Sequence, residues 1–166
     1  MKRVMIIGCS GAGKSTLARE LAQRTGLPVI HLDREHWRPG WVEPPELEWQ
    51  SRVAQLAGQP EWIIDGNYGS TLKTRLARAD TVILLDFPRW RCLWGIFRRI
   101  RASYGRTRDD MAAGCPEKLD LEFLKWVWNW RRNSRPRTLA LLDEFSGRVH
   151  ILRSPSEVKF FLTASV

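Results

Sequence analysis

Few residues of this chain can bridge covalently or hold a metal. Its 166 residues include three cysteines and three histidines. Cys9, Cys92 and Cys115 are odd in number and lack the CxxC spacing of redox or zinc sites, so neither a disulfide framework nor a zinc cage is expected. His31, His36 and His150 are scattered, which excludes an imidazole-built metal site. Long apolar runs are missing as well. Stretches such as Val82–Leu85 fall far short of the ~20 residues that cross a bilayer, so no membrane partner is expected. The first apolar run starts at Val4, leaving no room for a leader, and a cytoplasmic chain is expected. Repeats, linkers and low-complexity tracts are absent, so residues 1–166 read as one domain with one core.

Acidic residues are outnumbered, 18 against 27 basic ones, for a formal net charge of +9. The imbalance is local. Residues 89–137 hold thirteen Lys/Arg and five Asp/Glu, so this segment carries nearly all of the excess.

The most specific feature is Gly8-Cys9-Ser10-Gly11-Ala12-Gly13-Lys14-Ser15, a GxxxxGK[ST] phosphate loop. It follows the β-branched run Val4–Ile7 and precedes a helical pattern, the order such a loop requires. Gly8 and Gly13 allow backbone angles closed to other residues and let the chain approach a polyphosphate. Successive main-chain N–H groups around Gly11 and Ala12 point at its oxygens. Lys14 adds a point charge, Ser15 a hydroxyl for a divalent cation, and Thr16 a further donor. Cys9 reads as a small filler within the loop.

Short apolar runs alternate with amphipathic stretches, which predicts an α/β fold with a parallel sheet. Strands are expected at Val4–Ile7, Val29–His31, Trp62–Asp65, Thr81–Asp86 and Val149–Leu152. Helices are expected over 14–24, 46–57, 71–78, 89–103, 120–132 and 155–163. Pro39-Gly40 and Pro44-Pro45 mark an excursion over about 34–58, and 103–119 reads as a flap. Ligands of such sheets bind beyond the strand carboxyl ends. Asp33, Asp65 and Asp86 each close an apolar run there, a pattern that capping or turn formation also produces.

Ile63-Ile64-Asp65-Gly66-Asn67-Tyr68 stands where adenylate kinases carry Asp-Gly-Phe-Pro-Arg. With the phosphate loop and Leu85-Asp86-Phe87-Pro88, it resembles the nucleoside-monophosphate-kinase branch of P-loop proteins. Gly114-Cys115-Pro116-Glu117 and Phe123–Trp128 narrow that resemblance to the small bacterial DNA topology modulation proteins, or adenylate-kinase-related kinases. The resemblance implies a three-layer P-loop NTPase fold: a five-stranded parallel sheet in the order 2-3-1-4-5, helices on both faces and a short basic lid. It implies an ATP- and Mg²⁺-dependent phosphotransferase acting on a nucleotide or other small-molecule acceptor, with a nucleic-acid-binding regulatory ATPase as the alternative. In that reading Gly8, Gly11, Ala12, Gly13, Lys14, Ser15 and Thr16 hold the nucleotide, and Ser15 and Asp65 support the metal. Asp33 orients or deprotonates the acceptor, and Arg98, Arg101 and Arg106, with Arg99 and Arg108 beside them, supply guanidiniums to the transferring phosphoryl group. The adenylate-kinase arginine that clamps an acceptor phosphate is missing near Gly69. Arg34, Arg38 and Arg75 are its candidate substitutes, with Trp37 as a wall.

Nine tryptophans interleave with these basic residues. In Arg89–Arg101 the apolar Trp90, Leu93, Trp94, Phe97 and Ile100 share one helical face, and core packing is the expected role of most tryptophans. The basic, aromatic segment 89–137 is also the kind of surface that stacks and neutralises nucleic acid.

Overall fold

Charge-free apolar segments collect in the centre of the sheet because parallel strands covered on both faces tolerate little else. The computed structural model describes residues 1–164. In chain order it contains β1 (Arg3–Gly8), α1 (Lys14–Thr25), β2 (Val29–His31), α2 (Leu32–His36), α3 (Glu46–Ala57) and β3 (Trp62–Asp65). A 3₁₀ turn, Gly69–Thr71, leads into α4 (Leu72–Leu76), followed by β4 (Thr81–Leu85), α5 (Arg89–Ser103) and α6 (Leu121–Asn133). The chain closes with α7 (Arg135–Asp143), β5 (Arg148–Leu152) and α8 (Pro155–Ala164). All five strands run parallel in the order β2-β3-β1-β4-β5, with helices around them, the expected P-loop kinase arrangement.

The core runs through β1, β3 and β4, where Val4, Met5, Ile6, Ile63, Ile64, Val82, Ile83 and Leu84 are inaccessible to solvent. The register sets Ile6 beside Asp65, and Asp65 beside His31. Trp62 is also wholly buried and donates its indole N–H to the Ala57 carbonyl at 3.2 Å, satisfying its single polar atom.

Two helices differ from expectation. After β2 the chain enters α2 without a loop. α7 forms although Pro136 sits in it, because proline occupies the first turn, where its missing N–H has no intrahelical partner. Four of the nine tryptophans also depart from the expected core role: Trp90, Trp94, Trp126 and Trp128 are exposed, whereas Trp49, Trp62 and Trp130 are buried and Trp37 and Trp41 pack in a small separate cluster.

Asp86, at the end of β4, is a structural tie. Its buried carboxylate accepts from Arg135 Nε at 2.7 Å and Nη2 at 2.8 Å, fixing α7 to the sheet. Replacing Arg135 with alanine leaves that carboxylate only the longer contact to Arg131 Nη2 at 3.8 Å. The Arg135 side chain is 26% exposed, so the cost falls below that of a fully buried pair, at about 2 kcal/mol. Urea unfolding of Arg135→Ala should show that loss with the denaturant slope unchanged.

Candidate active site at the carboxyl edge of the sheet

β1 ends at Gly8 and α1 begins at Lys14, so the phosphate loop is a five-residue turn from the central strand into a helix N-terminus. Gly13 takes the left-handed conformation, φ 93°, immediately before α1. Gly8 N–H donates to Asn67 Oδ1 at 3.1 Å, tying the loop entrance to the segment after β3. Lys14 Nζ donates to the Gly8 and Cys9 carbonyls at 3.0 and 3.2 Å, folded back over the loop it closes. Cys9 is fully buried and Cys92 raises its thiol pKa, which fits a packing role.

Helix α5 lies against this loop with no side chain between them. A Cβ built on Gly95 would overlap the Gly11 carbonyl oxygen, and one on Gly11 would overlap the Cys92 carbonyl. That contact fixes the helix rotation. Cys92 and Ile96 turn inward, while Trp90, Trp94 and Phe97 are more than half exposed. This corrects the expectation that the aromatic stripe is buried: the loop needs a small residue opposite it, and the aromatic side of α5 cannot approach.

Behind the loop lies a cavity of about 500 Å³. Lys14, Ser15, Thr16, Asp33, Asp65 and Gly66 line it together with Arg19, Arg99, Arg106, Arg108 and Asp110. The fold therefore brings together the loop, Asp33 in α2, Asp65 at the end of β3 and Arg106, but not Asp86. Arg98 and Arg101 are exposed and are not among the lining residues; a step of one residue along the helix, about 100° of rotation, gives that place to Arg99.

Asp65 is buried and its Oδ1 lies 2.7 Å from His31 Nδ1, leaving Oδ2 for another partner. Burial disfavours the imidazolium, but the Asp65 hydrogen bond and charge outweigh it and raise the His31 pKa. Asp33 Oδ1 accepts from the Tyr68 hydroxyl at 2.7 Å. Burial and the Asp33 carboxylate push the Tyr68 phenol pKa upward, so it stays a donor. With Ser15 and the free Asp65 oxygen in one cavity, the donor set suits a hard cation such as Mg²⁺.

The arginines expected on the acceptor side are otherwise engaged. Arg75, expected to clamp the acceptor, is corrected to a structural anchor: it is completely buried, and it donates to the carbonyls of Gly66 at 2.9 Å, Asn67 and Tyr68 at 3.0 Å. Burial lowers its pKa to about 9. These bonds hold the turn in which Tyr68 adopts φ 36°. Arg38 pairs with Glu48, and Arg34 is exposed and is not among the residues lining the cavity. Trp37 packs with Trp41 against Met111, Ala112 and Cys115.

That cluster joins the excursion to the flap. Gly40 N–H donates to the Gly114 carbonyl at 2.9 Å and Cys115 Sγ to the Arg38 carbonyl at 3.2 Å. A Cβ on Gly114 would press on Pro39 at 2.9 Å. The sequence treats excursion and flap as separate; Asn67, Tyr68 and Glu117 enter it only within the segments that carry the family resemblance, with no role of their own, and nothing in it marks Asp110.

Residues 4–94 match the model of the AAA domain family. No curated protein matches the chain. Among solved structures, the chain is similar to a shikimate kinase from Acinetobacter baumannii in complex with shikimate. The TM-score is 0.60 at 16% identity, over 99% of this chain and 90% of that one.

Gly95→Ala should lower nucleotide affinity at least about tenfold while circular dichroism stays native, since the loop must shift by more than packing tolerates. The His31–Asp65 pair also gives a pH signature. Because the folded pKa of His31 is raised, the pair stabilises below the ordinary imidazole value of about 6.5, and this contribution disappears as pH climbs through the raised value. The stability difference between the native chain and His31→Gln should be larger at pH 6 than at pH 8.5 in urea unfolding.

Proposed function

The chain belongs to the AAA domain family, and on that premise we propose that it is an ATP- and Mg²⁺-dependent phosphotransferase whose acceptor is a small hydroxylated molecule. The observation that carries this reading is the single cavity shared by the phosphate loop, Asp33, Asp65 and three arginines of α5 and the flap. The kinase fold supports a nucleotide-dependent transferase in general. The acceptor class draws on Asp33 and on the engaged state of Arg38 and Arg75: the excursion offers a carboxylate and holds back the guanidiniums that a phosphorylated acceptor would need.

In this reading the main-chain N–H groups of Gly11 to Ser15 cradle the donor phosphates, and Lys14 swings from the loop carbonyls onto them. Ser15 and Asp65 hold Mg²⁺, which when bound offsets charge on the phosphate oxygens. Asp33, fixed by Tyr68, accepts the proton of the acceptor hydroxyl as that oxygen bonds to the γ-phosphorus. The bond from the γ-phosphorus to the bridging oxygen breaks, and ADP leaves. Arg99, Arg106 and Arg108 face the equatorial oxygens, whose charge they balance. Transfer to an anionic phosphate acceptor needs no such base, which is why Asp33 favours a hydroxyl. The shikimate held in the similar kinase structure carries hydroxyls and agrees with this class.

The subgroup resemblance and segment 89–137 underlie the alternative of a nucleic-acid-binding ATPase. Three of that segment's thirteen basic residues are committed inside the protein: Arg99 and Arg108 pair with Glu117, and Arg135 with Asp86.

Labelled ATP incubated with a panel of hydroxylated metabolites, nucleosides and nucleoside monophosphates should deliver phosphate to a hydroxyl. Asp33→Asn should cut that transfer by about 100-fold or more, the usual worth of a general base, with ATP affinity unchanged in calorimetry. Lys14→Ala should weaken both. Absence of any ATP binding by the native chain with magnesium present overturns the proposal.

A further inference from the structure

Glu117 lies in the flap and is 6% exposed, an unusual place for a carboxylate. Its Oε2 sits 2.9 Å from Arg99 Nε and 3.0 Å from Arg108 Nε, and its Oε1 accepts from Arg99 Nη2 at 3.1 Å. One arginine comes from α5 and the other from the flap, and both line the cavity beside the phosphate loop. Two neighbouring guanidiniums repel each other and resist desolvation; burial and the Arg108 charge lower the Arg99 pKa. A single carboxylate between them offsets both effects and fixes their orientation, through Nε and Nη2 of Arg99 and through Nε of Arg108, whose Nη1 is turned to Asp110.

The main chain of the same residue closes the flap. Gly105 N–H donates to the Glu117 carbonyl at 2.9 Å, and Glu117 N–H donates to the Arg106 carbonyl at 2.9 Å. Arg108 Nη1 is held by Asp110 Oδ2 at 3.1 Å. Among the described residues, no side chain accepts from Arg99 Nη1 or Arg108 Nη2. Those donors remain for a ligand in the cavity.

We propose that Glu117 is a positioning residue: it couples the seating of the flap to the placement of Arg99 and Arg108, so that both guanidiniums meet the terminal phosphate of a bound nucleoside triphosphate. This rests on the phosphotransferase reading above and adds a residue to it. Glu117 itself touches no substrate and acts through the two arginines. Its contribution therefore falls on the third phosphate and not on nucleotide binding as a whole, which separates it from a role in flap folding alone.

The test compares calorimetric affinities for Mg·ATP and Mg·ADP in the full chain. Glu117→Gln should lower the ATP-over-ADP preference about tenfold, through ATP, because two charge-assisted contacts lose their orientation. Glu117→Asp keeps the charge but shortens the reach, and should give an intermediate loss of about threefold; it carries the test if the glutamine variant does not fold. In an Arg99→Ala/Arg108→Ala background, Glu117→Gln should change the preference less than about twofold, since its partners are gone. An unchanged preference overturns the proposal, as do equal losses for ATP and ADP or a full effect in the arginine-free background. A native chain that binds neither nucleotide would instead remove the phosphotransferase reading.

Discussion

The contact between Gly11 and Gly95 governs the arrangement of the site. Two backbones meet there without an intervening side chain, so α5 has one permitted rotation against the phosphate loop. That rotation aims Arg99 at the cavity and sends Arg98 and Arg101 to solvent. It also exposes Trp90, Trp94 and Phe97. A helix chosen by hydrophobic burial alone would turn the other way. Close packing of main chain against main chain overrides the transfer free energy of two or three aromatic side chains because the loop cannot move without losing its amide geometry.

The basic excess of the chain is distributed by what each guanidinium can reach. Arg75 is buried without a carboxylate and rests on three carbonyls, so its charge serves to lock a turn. Arg135 closes the C-terminal side of the sheet through Asp86. Arg99 and Arg108 share Glu117 and keep donors to spare. A positive chain of this size would expel its own arginines from a cavity; the buried carboxylates of Asp65, Asp110 and Glu117 hold the site near balance.

Arg75, Tyr68 and Asp33 form a relay of position. The arginine fixes the carbonyls of Gly66 to Tyr68, the strained backbone of Tyr68 aims its ring, and the phenol holds one oxygen of Asp33. The excursion and flap meet through Trp37, Trp41, Met111, Ala112 and Cys115, apart from the main core. The excursion that follows Asp33 and the flap that carries Arg106 and Arg108 are thereby one joined structure.

The strand runs, the glycine loop and the alternation of elements were legible in the sequence, because local periodicity and turn chemistry act within a few residues. They determined the parallel sheet, its five strands, the aspartate that closes β3 and the one just beyond β2; the strand order 2-3-1-4-5 came from the family resemblance and not from periodicity. α7 escaped notice because its proline reads as a breaker unless the helix start is known. Tertiary structure alone decided which arginine faces the cavity, that Arg75 is an anchor and that Glu117 pairs with two guanidiniums. Those outcomes depend on helix rotation and on partners up to 18 residues apart for Arg99 and Glu117 or 49 for Arg135 and Asp86. A charged side chain carries no mark of its partner until the backbone brings the two within a few ångströms and excludes the water that would otherwise solvate each alone.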